Sequence, residues 1–309
     1  MPPLVHDMVS EQWGKQAQDS LHLLQQQQRN QQQQHHHHHH QHHQNSCNNN
    51  IDLPPVPIQS TFFPGALIVG GGPSGLATAA CLTDWGVPSL VLEKSSCLAS
   101  LWQQKAYDRL HLHLPKQFCE LPLLPFPDHL PAYPTRHQFV EYLQTYASHF
   151  KVRPLFHHQV DSASFNPTSS LWHVRVRSVI SNKAELLGGE HFAAGSVQEY
   201  RAKWLVVASG ENAEPVIPSF KNMQAFRGGK VFHSSQYRNG VEFAGKKVLV
   251  VGCGNSGMEI ALDLANFGAS PSLVVRSPVS MHAHNKSSSS FFTAHPFLII
   301  LTRFEEEEE

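Results

Sequence analysis

ALIVGGGPSGLATAACLTDWGVPSLVLEK, residues 66–94, holds two apolar runs, a glycine turn and a run of helix formers. Residues 66–69 have the fully apolar character of a strand buried on both faces. Residues 76–83 are rich in helix formers and small residues, and Gly86 stops them. Residues 89–92 form a second apolar run that ends at Glu93. Strand, glycine turn, helix and strand in this order make a βαβ unit. KVLVVGCGNSGMEIA, residues 247–261, opens a second copy of the plan. Its helix is expected from about Ser256 to Phe267, with Gly268 as the stop, and its second strand ends at Arg276.

Both turns fit G-x-G-x-x-G. The first is Gly70, Gly71, Gly72, Pro73, Ser74 and Gly75; the second is Gly252, Cys253, Gly254, Asn255, Ser256 and Gly257. In such a turn the first glycine permits the sharp bend from strand to helix. The second lets a pyrophosphate approach the backbone, and the third lets helix and strand pack closely. The free N–H groups and partial positive charge at the helix start then favour a phosphate. Each turn follows an apolar strand and opens a helix, which favours dinucleotide binding over glycine turns without a ligand. The strand tips separate the ligands. Glu93 can accept from ribose hydroxyls, as FAD or NAD requires. Arg276 at the corresponding tip can pair with a 2′-phosphate, as NADPH requires. The alternative for each is a solvated strand end. Together the tips point to FAD reduced by NADPH.

The remaining chain sets the frame. Residues 1–60 carry Gln, His and Asn tracts, including HHHHHH at 35–40, and are expected to be disordered. The net charge of −1 argues against a nucleic-acid partner. Five cysteines without a C-x-x-C pair suit free thiols in a reducing compartment, and no metal site is read. Residues 297–301 form the longest apolar run near the C-terminus, far short of the roughly 20 residues a membrane helix needs. No signal-type stretch is read at the N-terminus, so a cytoplasmic protein is expected. Residues 115–134 are too rich in proline for a regular element. Residues 137–150 place Phe139, Tyr142, Leu143, Tyr146 and Phe150 near helical spacing, the pattern of an amphipathic helix. Trp172, Val174 and Val176 alternate with His173, Arg175 and Arg177, the pattern of a half-exposed strand.

CLASLWQQKAYDRLHLHLPKQFCELPLLPFP (97–127), YPTRHQFVEYL (133–143), GENAEPVIP (210–218) and VLVVGCGNSGMEIALDL (248–264) carry a resemblance. On these stretches the chain resembles flavin-containing monooxygenases, and within them the plant YUCCA type. The resemblance covers residues 64 to about 278. It implies an NADPH- and FAD-dependent oxidative decarboxylation of indole-3-pyruvate by O2, giving the auxin indole-3-acetate. By the same resemblance, residues 70–75 and Glu93 hold FAD, with Trp102 and Gln103 beside the flavin. Residues 252–257 and Arg276 hold NADPH. His113 stands where the broader family has an Asn near the flavin, so it is the candidate catalytic residue. Its alternative is an ordinary packed or surface histidine. FRGGKVFHSSQY, residues 226–237, looks like the family's F-x-G-x-x-x-H-x-x-x-Y element, with Phe226 one residue too far from Gly229.

The expected fold is α/β with two Rossmann-like dinucleotide-binding domains, the second inserted in the first and incomplete. The expected organisation is a disordered segment at 1–60, a FAD-binding domain at 61–220, a partial NADPH-binding domain at 221–280 and an atypical tail at 281–309. The family pattern continues well beyond Arg276, so a C-terminally truncated chain is expected. An inactive nucleotide-binding or interaction protein is the alternative function.

Overall fold

A computed structural model describes residues 58–179, 195–275 and 299–303. The Gln/His-rich segment, Arg276 and most of the expected tail lie outside the described residues. The fold divides into two compact units that do not follow chain order. One holds the described residues up to Leu98, with Leu121–Leu124 and Leu143–Ser209. The other holds Ala99–Glu120, Pro125–Tyr142 and the described residues from Gly210 onward.

The first unit contains the first βαβ motif: β1 (Gln59–Val69), α1 (Pro73–Asp84) and β2 (Ser89–Leu92). β1 and β2 run parallel, with Ala66 opposite Ser89 and Val69 opposite Leu92. Further along the chain, α2 (Arg136–His149) precedes β3 (His158–Asn166), β4 (Leu171–Ser178) and β5 (Val197–Val207). The five strands form one sheet in the order β2–β1–β5–β4–β3. β5 is parallel to β1, whereas β4 is antiparallel to both of its neighbours, β5 and β3. β1 starts earlier than its apolar core because residues from Gln59 onward pair with β5. The register shifts between Phe63 and Ala66, where Pro64 has no N–H to give the ladder.

Successive side chains of a strand point to opposite faces. Leu67 and Ile68 are both fully buried, so β1 is covered on both sides. Leu67 packs with Val174, Tyr200 and Ala202, while Ile68 packs with Ala79 of α1 and Val91. Each such aliphatic side chain contributes roughly 1.5–3 kcal/mol through burial. The alternation expected for β4 holds: Val174 and Val176 are buried and Arg175 and Arg177 are exposed. β5 ends differently from its apolar sequence, with Val207 73% exposed, because no described element covers it.

The second unit contains β6 (Val231–His233), β7 (Lys247–Val251), α3 (Asn255–Asn266), β8 (Ser270–Val274) and β9 (Ile299–Arg303). The sheet order is β6–β9–β7–β8. β7 and β8 are parallel, completing the second βαβ motif. The last three residues of the apolar run near the C-terminus, with Thr302 and Arg303, form β9, antiparallel to both β6 and β7, with Leu301 opposite Val231 and Leu249. A short apolar run of β-forming residues beside an open strand edge finds its backbone hydrogen bonds there. Val248, Val250, Ile260 and Leu264 build the core with Tyr107, Tyr237 and Phe243.

The proline-rich segment is ordered without being regular. Lys116 Nζ donates to the carbonyls of Pro127, Asp128 and Leu130 at 3.0, 3.1 and 2.9 Å. Nearby, Phe126 stacks on Tyr142 at 4.0 Å between ring centroids.

Candidate functional site: two glycine turns and a histidine pocket

In the first unit β1 runs into Gly70, whose φ of 110° lies where side chains are strained. The Gly70 N–H donates to Leu92 O at 2.8 Å, tying the turn to β2. A Cβ at Gly70 would run into the carbonyl of Ala208, and one at Gly75 into the carbonyl oxygen of Gly70. These glycines are therefore set by backbone meeting backbone. Gly72 is the N-cap of α1, has extended geometry, and makes no side-chain cap bond; Pro73 follows it. A Cβ at Gly72 would meet nothing within 4 Å. Open space thus lies before uncapped helix N–H groups, with Ser74 in the first turn. This cradle fits the pyrophosphate of a dinucleotide.

Glu93 is 5% exposed at the tip of β2. Its Oε2 accepts from the Gly71 N–H at 2.7 Å, and its Oε1 from the Ser95 N–H at 2.8 Å. The carboxylate therefore braces the glycine turn directly, a role the sequence reading did not assign to it.

In the second unit Gly252 has φ 118°, and its N–H donates to Val274 O at 3.1 Å. Gly254 caps α3 in extended geometry without a side-chain bond. Asn255, Ser256 and Gly257 make the first turn, Gly257 buried and Cys253 half-buried. Trp102 and Gln103 lie in a π-helical turn, Leu101–Lys105, in this unit. Trp102 meets Phe139 edge-on at 4.6 Å between centroids.

His113 stands beside the second turn. Its Nδ1 lies 3.1 Å from Asn255 Nδ2, and its Nε2 lies 3.9 Å from Glu259 Oε2. Glu259 Oε2 accepts from the Tyr107 hydroxyl at 2.8 Å. Burial works to raise the Glu259 carboxyl, but His113, the Tyr107 hydroxyl and the Arg109 charge outweigh it and leave the group lowered. Burial and then Glu259 push the Tyr107 phenol well above the ordinary tyrosine range, with Ser256 and Arg109 opposing. Tyr107 and Glu259 were not legible as site residues. The one available signal was the i, i+4 spacing of Asn255 and Glu259, which places both on one helix face.

The family-like element at 226–237 is held by two side-chain contacts. His233 Nδ1 accepts from the Ser235 N–H at 3.1 Å, capping a 3₁₀ turn. The Tyr237 hydroxyl donates to Asp263 Oδ2 at 2.7 Å. Tyr237 is 1% and Asp263 5% exposed. Replacing Tyr237 with Phe leaves a buried carboxylate short of a donor and is expected to cost roughly 1–3 kcal/mol. Burial, then Asp263, hold the Tyr237 phenol above its unfolded value. Its contribution is therefore complete below the unfolded tyrosine value and is lost as pH rises above it. Urea unfolding of both proteins at neutral and alkaline pH checks this: the difference between them should shrink at high pH.

Among the described residues no group of three or more His, Cys, Asp or Glu side chains could hold a metal ion. No described helix is long and apolar enough to cross a membrane.

The flavin-binding monooxygenase-like family matches residues 66–279. The chain is 54% identical over 236 residues to indole-3-pyruvate monooxygenase YUCCA6 of Arabidopsis thaliana, covering 76% of this chain and 53% of that protein. It is also 54% identical over 221 residues to indole-3-pyruvate monooxygenase YUCCA1 of Oryza sativa subsp. japonica, covering 72% of this chain and 50% of that protein. It thus spans about half the length of the curated relatives it matches. Among solved structures, a flavin-containing monooxygenase from Stenotrophomonas maltophilia has a TM-score of 0.59 at 24% identity, over 73% of this chain and 61% of that one. S-allyl-L-cysteine S-oxygenase from Allium sativum has a TM-score of 0.59 at 18% identity, over 79% and 56%. These two likenesses are of fold alone. Matched over residues 66–279, the chain belongs to the flavin-binding monooxygenase-like family.

Proposed function

We propose that the protein is an NADPH- and FAD-dependent monooxygenase that converts indole-3-pyruvate to indole-3-acetate in auxin biosynthesis. The observation that carries this reading is the pair of uncapped glycine turns, the first braced by the buried carboxylate of Glu93. Identity of 54% to a protein named indole-3-pyruvate monooxygenase supports the choice of substrate. In this reading residues 70–75 and Glu93 hold FAD, and residues 252–257 and Arg276 hold NADPH. Trp102 and Gln103 lie against the flavin, and His113 serves the oxygen chemistry. The expected domain roles follow: FAD binding at 61–220 and NADPH binding at 221–280.

Bound FAD supplies a carrier that takes two electrons from NADPH and delivers them to O2. One oxygen atom ends in the carboxylate product and the other in water, while the keto acid loses CO2. The chain's own part is to hold the phosphates on helix N–H groups, orient the ribose through Glu93, and keep water from the reacting atoms. The reading sets this work in the cytoplasm, where thiols such as those of Cys81, Cys119 and Cys253 stay reduced.

The test is the visible spectrum of the purified chain. A flavin band that bleaches with NADPH and returns in air, with indole-3-acetate formed from indole-3-pyruvate, is the expected result. A colourless folded protein, or a flavin band indifferent to NADPH, leaves an inactive nucleotide-binding protein instead.

A further inference from the structure

In the second unit the turn Leu101–Lys105 is π-helical. Such turns are rare and recur at functional sites. A helix end leaves its last carbonyls without partners inside the helix. Here cationic side chains from distant stretches of the chain take them. Arg136 Nη1 reaches Gln103 O at 3.4 Å and Ala106 O at 3.5 Å. Arg238 Nη2 donates to Gln104 O. Lys105 Nζ, at the end of the turn itself, donates to Ala213 O at 2.7 Å. The arginines are themselves held in place. Arg136 Nη2 pairs with Asp108 Oδ1 at 3.3 Å, and Asp108 Oδ2 accepts from Asn239 Nδ2 at 2.8 Å. Arg238 Nη1 donates to Ser235 O and Tyr237 O, each at 2.9 Å. Arg136 also opens α2, and Phe139, three residues on, shares its helix face. Phe139 is the ring that meets Trp102 edge-on. One helix end therefore grips both the backbone of the turn and the indole it carries.

We propose that Arg136 and Arg238 are positioning residues for the oxidation, acting through Trp102. By tying down the carbonyls of Gln103 and Gln104 they fix the direction in which Trp102 leaves the backbone. The inference rests on the reading that sets Trp102 against the flavin. A capping role alone would end at the carbonyls. Here the helix that supplies Arg136 also packs on the indole, so backbone and ring move together. An indole touching an isoalloxazine dims its fluorescence, because it lends an electron to the excited ring and takes it back as the ring decays. The brightness of bound flavin therefore reports whether the turn holds Trp102 in place.

The experiment measures emission per bound FAD, with a thermal melt beside it, in Arg136→Gln, Arg238→Gln, Trp102→Phe and the paired variants. Each arginine variant should brighten the bound flavin several-fold. Trp102→Phe should be bright already, and neither arginine change should add to it, which is the coupling expected of groups that act through one another. Arg238→Lys keeps a donor for Gln104 O and should restore most of the dimming. If one arginine variant misfolds, the other decides. Emission that stays at the parent level in the arginine variants overturns the inference, whatever the melt shows. So does an equal brightening in the Trp102→Phe background. A parent protein that binds flavin, with Trp102→Phe as dim as the parent, leaves FAD binding standing and removes the inference alone. A parent that binds no flavin removes both.

Discussion

Gly75→Ala is expected to strip flavin from the protein and to lower its melting temperature sharply. The alanine Cβ would point into the carbonyl oxygen of Gly70, which is backbone and belongs to the same turn. A flexible neighbour could move aside, but this one cannot without reshaping the bend. Gly70 itself holds a φ of 110° and donates to Leu92. Shifting it would disturb both the β1–β2 junction and the N–H groups proposed to hold the phosphate. Overpacking a tight site costs roughly 1–3 kcal/mol and more where backbone must yield, so roughly 3 kcal/mol or above is expected. The check is flavin absorbance per chain together with a thermal melt. An alanine variant that melts like the parent and keeps its flavin would show that the close approach is not required.

Glu93→Gln has the second largest effect, on stability and on flavin affinity at once. Both carboxylate oxygens accept a backbone N–H, from Gly71 and from Ser95. A glutamine has one acceptor oxygen, so either N–H would face an NH2 group in a site only 5% exposed. A buried donor left without its acceptor costs about 1–3 kcal/mol. The Gly71 side of that loss loosens the turn that is to hold the pyrophosphate. In the proposed function the same carboxylate also accepts from the FAD ribose. The expected outcome is a lower unfolding midpoint in urea and at least tenfold weaker FAD by fluorescence titration. A lower midpoint with FAD affinity unchanged would keep the brace and discard the ribose contact.

Much of the site was legible along the chain. The glycine turns, the apolar strands on either side and the position of Glu93 all sit within short windows. Their physics is local: which φ a residue tolerates, where a helix can start, which runs are apolar enough to be buried. The helix at Arg136–His149 and the alternation in Leu171–Ser178 were readable for the same reason. His113 was picked out by resemblance, but its neighbours were not. Tyr107 and Glu259 are 152 positions apart, and Tyr237 and Asp263 are 26 apart.

The amino-acid order alone therefore determined two strand–turn–helix–strand motifs and the tight backbone of their glycine turns, because steric limits and apolar periodicity act between near neighbours. Only the tertiary structure decided that Glu93 reaches back to brace Gly71, that Ile299–Arg303 pairs with Lys247–Val251, and that Tyr107, His113, Asn255 and Glu259 meet in one cluster. Such contacts join groups whose separation along the chain carries no periodic signal. Their geometry exists only after the sheets have set the register and the backbone has closed the intervening loops.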